Sequence, residues 1–372
     1  MRYLHVGDLH IGKRVNEFSM VEDQKVILNQ IQDMVAEYQC DGILIAGDLY
    51  DKSMPSAEAV AMVDSFLTGL AGTGKAVYII SGNHDSAERI SYCASLLEES
   101  SVYVSKAFQG HLDSYMAGDE YGSLNIYLLP FLKPVQVRTF YPEEAIDTYE
   151  DAIRVVLEHT PVDDSQRNIL LAHQFVTGAD ICDSEEHIIG GLDNISAELF
   201  DKFDYVALGH IHGPQYVKRE TIRYSGSILK YSFSEKNHHK SATLIDLKEK
   251  GQITIEQIPY TPLHDMRQVE GTLEEVMGYT YSEDYIRVVL KDELVPMDAI
   301  GTLRTNYPNI MNLAVDNGKQ MEGASQVFSE NLENQSPMEL FQEFYRGQSN
   351  NQDMSKKQEQ ILQDILKEMG VL

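Results

Sequence analysis

Within the first hundred residues, a short apolar run stops three times at a Gly, Asp or His and gives way to a stretch of helical spacing. Residues 2–7 end at Asp8-Leu9-His10, residues 42–46 at Gly47-Asp48-Leu49-Tyr50-Asp51, and residues 76–80 at Ser81-Gly82-Asn83-His84-Asp85. Behind the first run, Val26, Ile27, Ile31, Met34, Val35 and Tyr38 recur at three- and four-residue steps, and residues 57–70 and 88–99 read as further helices. Strand–loop–helix units in series bury their apolar faces by aligning the strands in parallel beneath the helices, and ligands then gather beyond the strands' carboxyl ends. Every polar cluster falls on such an end, which predicts an α/β fold with a site along one edge.

The pattern then becomes sparser. Residues 125–129 look like a strand and 144–158 like a helix, while strands at 169–172 and 205–208 deliver His173 and Gly209-His210-Ile211-His212. Residues 221–228, 242–247 and 252–258 read as antiparallel strands of a second sheet. Pro262 opens a different pattern, strand-like at 284–290, helix-like at 297–305 and strand-like at 309–315, which predicts a small α+β unit over 263–330 after a main domain of 1–262. Residues 331–372 read as the end of a polar linker, which begins near 317 and runs to 336, and two amphipathic helices. One carries Met338, Leu340, Phe341, Phe344 and Tyr345, the other Ile361, Leu362, Ile365, Leu366 and Met369. Short helices this apolar need a surface to bury against.

Composition narrows the class. A chain of 372 residues is expected to hold two or three units, and 43% hydrophobic with 24% charged residues is ordinary for a globular protein. No apolar run is long enough to span a bilayer, and the start turns polar by its eighth residue, so neither a membrane span nor a signal peptide is expected. Cys40, Cys93 and Cys182 are scattered and odd in number, which argues against disulfides or a cysteine zinc site and for a cytoplasmic, reducing home. The formal charge of −28 argues against a broad basic surface for nucleic acid, so any such contact is expected to be local.

The polar clusters supply Asp, His and Asn together, a donor set suited to borderline divalent ions such as manganese, iron or zinc. Two such ions can clamp a phosphate and activate a water between them, provided a carboxylate bridges the pair. Asp48 is the candidate bridge, with Asp8, His10 and His212 completing one ion and Asn83, His173 and His210 the other. His84 exceeds the ligand count and is the candidate acid for the leaving oxygen, with Asp85 placed to hold its tautomer. Singly, an Asp-x-His pair or a lone His is more often a turn or core residue than a ligand; five strand-end clusters together carry the argument. Gly47, Gly82 and Gly209 also suit plain turns, Asp51 a loop carboxylate behind the ligands, and the other seven histidines, His238 and His239 among them, the surface or core. Lys13, Arg14 and Arg89 follow metal motifs and suit either a substrate phosphate or solvent.

In that order the motifs resemble the signature of the calcineurin-like metallophosphoesterases: Asp-x-His, Gly-Asp, Gly-Asn-His-Asp, a single His, and Gly-His-x-His. Further stretches are similar to the D subunits of bacterial SbcCD nucleases, kin of the double-strand-break-repair nucleases. These are Asp8-Leu9-His10-Ile11-Gly12-Lys13, Gly82-Asn83-His84-Asp85-Ser86, Tyr224-Ser225-Gly226-Ser227, Asn306-Tyr307-Pro308-Asn309 and Ser336-Pro337-Met338-Glu339-Leu340-Phe341. The resemblance implies a four-layer α/β/β/α sandwich and manganese-dependent exonuclease and endonuclease cleavage of DNA in repair and recombination. It also implies a DNA-facing capping unit at 263–330 and terminal helices that dock on an SbcC-type ATPase, in a homodimer within a heterotetramer. A metallophosphatase or a phosphodiesterase of small nucleotides or phosphoproteins would share the metals. A non-catalytic scaffold of this fold would lack ligands that are all present here.

Overall fold

The computed structural model describes residues 1–185, 193–296, 298–316, 338, 341–342, 345–346 and 354–368. The expected linker at 317–336, with Met297, Leu340, Phe344 and Met369, lies outside them. The chain divides into two compact units. The larger comprises Met1–Gln268, Tyr281–Arg287 and Arg304–Asn312, and is built on two six-stranded sheets.

In the first sheet, Arg2–Val6, Gly42–Ile45, Ala76–Ile79 and Val102–Val104 run parallel, each neighbour joined through a helical crossover. Ser241–Leu247 pairs antiparallel with Arg2–Val6 on the other side, and Ile253–Pro259 pairs with it in turn. In the second sheet Gly122–Leu129, Arg167–His173, Tyr205–Gly209 and Arg219–Tyr224 are parallel, with antiparallel edges at Asp113–Asp119 and Gln215–Val217.

Successive side chains of a strand point to opposite faces, and both faces of these strands are apolar, so each sheet needs cover on both sides. Tyr3, Leu44, Tyr78, Ile126, Leu128 and Tyr205 belong to a core of their own, drawn from the strands of both sheets. Leu4, Val6, Ile43 and Ile45 point the other way, into a core shared with Ile27, Ile31, Val63 and Phe66 of helices Val21–Glu37 and Ala57–Gly72. Leu170, Ala172, Val206 and Leu208 do the same against Ile153, Val156 and their neighbours on helix Tyr149–Glu158. The result is helix, sheet, sheet, helix. Two of these helices have defined starts: the Ser56 hydroxyl accepts the Ala59 N–H at 3.2 Å, and Thr148 forms a capping box with Asp151.

Three expectations need correction. Residues 241–247 and 253–259 do not belong to a second antiparallel sheet; they extend the first, while Arg219–Tyr224 lies parallel in the other. Alternation identifies a strand without naming its partner. The helix expected at 88–99 is broken into Ala87–Ile90 and Ala94–Leu97 by Cys93 at φ 60°, a left-handed conformation no helix continues through. The helix expected from 144 starts at Tyr149, where Thr148 caps it.

The smaller unit comprises Val269–Thr280, Val288–Leu303 and Leu313–Leu372. The strands expected at 284–290 and 309–315 are Tyr285–Leu290 and Ile310–Val315, in a three-stranded sheet whose other edge, Met266–Gly271, was not expected. Thr272 and Glu275 form a capping box for the short helix Leu273–Met277. In the tail, helix Lys356–Glu368 is tied to Tyr345, whose hydroxyl accepts from the Gln358 amide at 3.0 Å. Among the described residues no helix is long and apolar enough to cross a membrane.

Candidate metal centre

Five strand ends, three from one sheet and two from the other, bring the predicted residues together. Asp8 and His10 follow Arg2–Val6, Asp48 follows Gly42–Ile45, and Asn83 follows Ala76–Ile79; His173 ends Arg167–His173, and His210 and His212 follow Tyr205–Gly209. Asp8, His10, Asp48 and His210 all have positive φ, of 52°, 45°, 49° and 104°. Left-handed backbone at four non-glycine positions costs free energy at each, and such strain concentrates where side chains must be aimed.

The three motif glycines are more than turn formers. A Cβ on Gly82 would lie 2.1 Å from Asp48 Oδ1, one on Gly47 2.4 Å from His173 Nδ1, and one on Gly209 1.9 Å from the Ala46 carbonyl oxygen. Each is where one loop's backbone must pass against a neighbouring ligand.

The donor atoms converge in two overlapping groups. His10 Nε2 and His212 Nε2 face each other at 3.1 Å, and Asp48 Oδ2 lies 3.6 Å from His10 Nε2. On the other side Asn83 Oδ1 is 2.9 Å from both His173 Nε2 and His210 Nδ1, with Asp48 Oδ2 3.4 Å from His173 Nε2. Asp8 Oδ1 accepts the His210 N–H at 2.8 Å, whereas its Oδ2, like His10 Nδ1, is buried with no hydrogen-bond partner. Among the described residues, the groups able to hold a cation are His10 with Asp48 and His84, and Asp8 with Asp48 and His173. Asp48 belongs to both. Buried carboxylate oxygens and neutral imidazoles that satisfy one another poorly are the donor set a divalent cation satisfies well, and the site fits such ions.

Electrostatics prepare two of the imidazoles for that role. Burial pushes the His10 imidazole well below its usual value and His210 down to about 3, reinforced there by His173, so both present neutral nitrogens at pH 7. Burial also lifts the Asp8 carboxyl to about 6, against the opposing pull of His173 and His212. Asp48 shows the reverse balance: burial raises it, but His173 and His10 outweigh that and hold it below the carboxylate range. His173 answers by rising to about 9, because the Asp48 carboxylate overcomes the cost of burial.

Around the donors the structure sorts the remaining candidates. His84 is half-buried, its Nδ1 3.0 Å from the Asp51 carbonyl oxygen and its ring edge-on to His10 at 4.8 Å. That carbonyl, not Asp85, holds its tautomer. The Asp85 carboxylate is occupied with the N–H groups of Leu49, Tyr50 and Gly82 at 3.0, 3.0 and 2.9 Å, and so clamps the Asp48 loop to the Asn83 loop. Lys13 pairs with Asp51 at 2.7 Å, while Arg14 and Arg89 donate to the carbonyls of Glu17 and Ser53. Sequence reasoning missed Glu235, Lys240, Tyr231 and Glu185, which surround His212. No motif spacing marks them, because none is aimed at the donor cluster from a strand end.

Comparison with known proteins agrees with this geometry. Residues 1–214 match the model of the calcineurin-like phosphoesterase family, and residues 262–349 match a family described as type 5 capsule protein repressor C-terminal domain. The chain is 32% identical over 378 residues to the D subunit of the SbcCD nuclease of Staphylococcus epidermidis, covering 100% of both chains. It is 32% identical over 381 residues to the same subunit of Staphylococcus saprophyticus, covering 99% of both. A solved structure, TT1561 of Thermus thermophilus, aligns at 12% identity over 69% of this chain and 98% of its own with a TM-score of 0.40, too remote to carry weight. The strand-end donors, the two-sheet fold and the full-length relatives lead to one assignment: the chain belongs to the calcineurin-like phosphoesterases and, among them, to the D subunits of SbcCD nucleases, metal-dependent phosphodiesterases.

Proposed function

We propose that the protein hydrolyses DNA phosphodiesters with two divalent ions, most readily manganese, as the nuclease subunit of an SbcCD-type repair and recombination complex. The observation that carries the dinuclear reading is Asp48, the one residue shared by both cation-holding groups among the described residues. In this reading Asp8, His10 and His212 would hold one ion and Asn83, His173 and His210 the other, with Asp48 able to serve both; the Asp8 carboxylate also lies within reach of His173, and His84 within reach of the His10 and Asp48 group. When bound, such ions would supply Lewis acidity toward the phosphate and make an attacking water more acidic.

The chain's own groups do the rest. His84 Nδ1–H donates a hydrogen bond to the Asp51 carbonyl and orients the ring, so that Nε2, when the ring carries its second proton, is the atom that would give a proton to the leaving oxygen. Asp85 holds the two loops that carry Asp48 and Asn83 at one spacing. Exposed Phe341 and Ile361 in the tail, 42% and 51% accessible, are the apolar groups offered to the SbcC-type ATPase. A homodimer within a heterotetramer, the capping role of 263–330 toward DNA and a cytoplasmic location belong to the same reading.

The deciding experiment replaces His84 with Gln and follows manganese-dependent digestion of linear DNA together with bound metal. A fall of about 10²–10⁴-fold with two ions retained is expected. Undiminished cleavage with both ions bound would remove His84 from its role, and turnover of a small artificial phosphodiester without cleavage of DNA would overturn the substrate.

A further inference from the structure

We propose that Glu235, with Lys240 as its buried counter-charge, is the positioning residue for His212, and that it sets the affinity of one ion position while leaving the other untouched. The inference rests on the two-ion reading above.

Glu235 ends the 3₁₀ turn Phe233–Glu235 and is fully buried. Its Oε1 lies 3.2 Å from His212 Nδ1, on the far side of the ring from the Nε2 that faces His10 at 3.1 Å. A carboxylate at Nδ1 fixes the ring proton there, keeps the lone pair on Nε2, and locks the ring's rotation. A carboxylate this deep survives only if paired. Lys240 provides the pair through Oε2 and also donates to the His212 carbonyl and the Ser227 hydroxyl, both at 2.7 Å.

Other groups grip the same residue. Glu185 Oε1 accepts the His212 N–H at 2.7 Å, and a Cβ on Gly226 would sit 2.6 Å from the His212 carbonyl oxygen. Tyr231 donates its N–H to Glu235 Oε1 at 3.2 Å and sets its ring edge-on to both His10 and His212, at 5.7 and 5.9 Å. His212 is thus held at its N–H, its C=O and its remote ring nitrogen.

The second group of donors is built differently. His173 Nδ1 meets the main-chain carbonyl of Ala46 at 2.8 Å, and His210 Nδ1 faces Asn83. Among the described residues Glu235 is the one carboxylate outside the donor set that hydrogen-bonds a donor imidazole. Its loss therefore acts on the position served by His10 and His212.

The test uses the full-length protein, stripped of metal and titrated with manganese by calorimetry and electron paramagnetic resonance. Glu235→Gln keeps the shape and removes the charge; Glu235→Leu with Lys240→Met removes both buried charges and the acceptor, and guards against an unpaired lysine that unfolds the single variant. One of two manganese equivalents should weaken about 10–100-fold while the other is unchanged. The manganese concentration for half-maximal DNA cleavage should rise by the same factor, with kcat recovered at saturating metal, a rescue that a merely structural defect would not show. Two equivalents bound as in the wild type, or both weakened alike in a folded variant, would overturn the proposal. Wild-type protein that bound no divalent ion would instead overturn the metal reading, and this inference with it.

Discussion

Gly209→Ala is a one-carbon perturbation that strains the site and its supporting backbone together. A Cβ at Gly209 would lie 1.9 Å from the Ala46 carbonyl oxygen and 2.7 Å from His173 Nδ1, two atoms that are themselves hydrogen-bonded at 2.8 Å. Opening the first contact to even 3.0 Å displaces one backbone against another by about 1.1 Å. Neither backbone is free to yield. Ala46 is tied through its N–H to the Val6 carbonyl at 2.9 Å, and Gly209 is in parallel register with His173. Overpacking of this kind costs about 1–3 kcal/mol, and loss of the His173–Ala46 bond adds about 1 kcal/mol, so a loss of about 2–4 kcal/mol is expected. A shift near 1 Å at the donors should also slow DNA cleavage by about 100-fold. Gly72→Ala is the control: it ends helix Ala57–Gly72 with nothing within 4 Å of its Cβ position, and should be neutral or stabilising by up to about 1 kcal/mol. Urea midpoints, bound manganese and cleavage rate measured side by side decide the matter. Gly209→Ala within about 0.5 kcal/mol of wild type, with full manganese stoichiometry, would refute the close-approach argument.

Asp85→Asn keeps an acceptor for two of the three N–H groups but turns an NH₂ toward the third. A loss of about 1.5–3 kcal/mol is expected, read from urea midpoints, and an unchanged midpoint would remove the clamp. His5 is fully buried between Tyr205 Oη at 3.0 Å and the Leu208 carbonyl at 3.2 Å, and burial pushes its imidazole down to about 3. The unfolded chain therefore takes up a proton near pH 6.5 that the folded chain refuses. This contribution is complete above pH 6.5 and is lost as pH falls toward 3, by up to about 1.4 kcal/mol per pH unit. His5→Gln should flatten the acid side of the stability profile; an identical slope between about pH 5 and 7 would contradict it. Removing residues 336–372 should abolish co-purification with an SbcC-type ATPase and spare manganese binding, and an intact complex would place the docking surface elsewhere.

The site was legible wherever a donor ends an apolar run. Asp8, Asp48, Asn83, His173 and His210 sit where a buried strand leaves the sheet, and that position is written in local sequence as a change from apolar residues to Gly, Asp, Asn or His. Glu235 was not legible, since it reaches His212 from a turn 23 residues downstream by way of a buried ion pair. Asp85 was legible as a residue of the site but not in its task, because adjacency to His84 says nothing of which backbone N–H groups a folded loop will present to it.

Sequence alone determined the class of chemistry and which polar residues stand at the strand ends, because apolar period and strand-end residue type are local properties that tertiary context does not alter. Tertiary structure decided which sheet each strand joined, and so that the donors come from two sheets facing one another. It decided as well that Gly47, Gly82 and Gly209 are there for close approach, since a Cβ's nearest neighbour is a fact about another part of the chain. Pairing partners, burial and the balance of charge on Asp48 all arise between segments far apart in sequence, and only folding brings their energies into play.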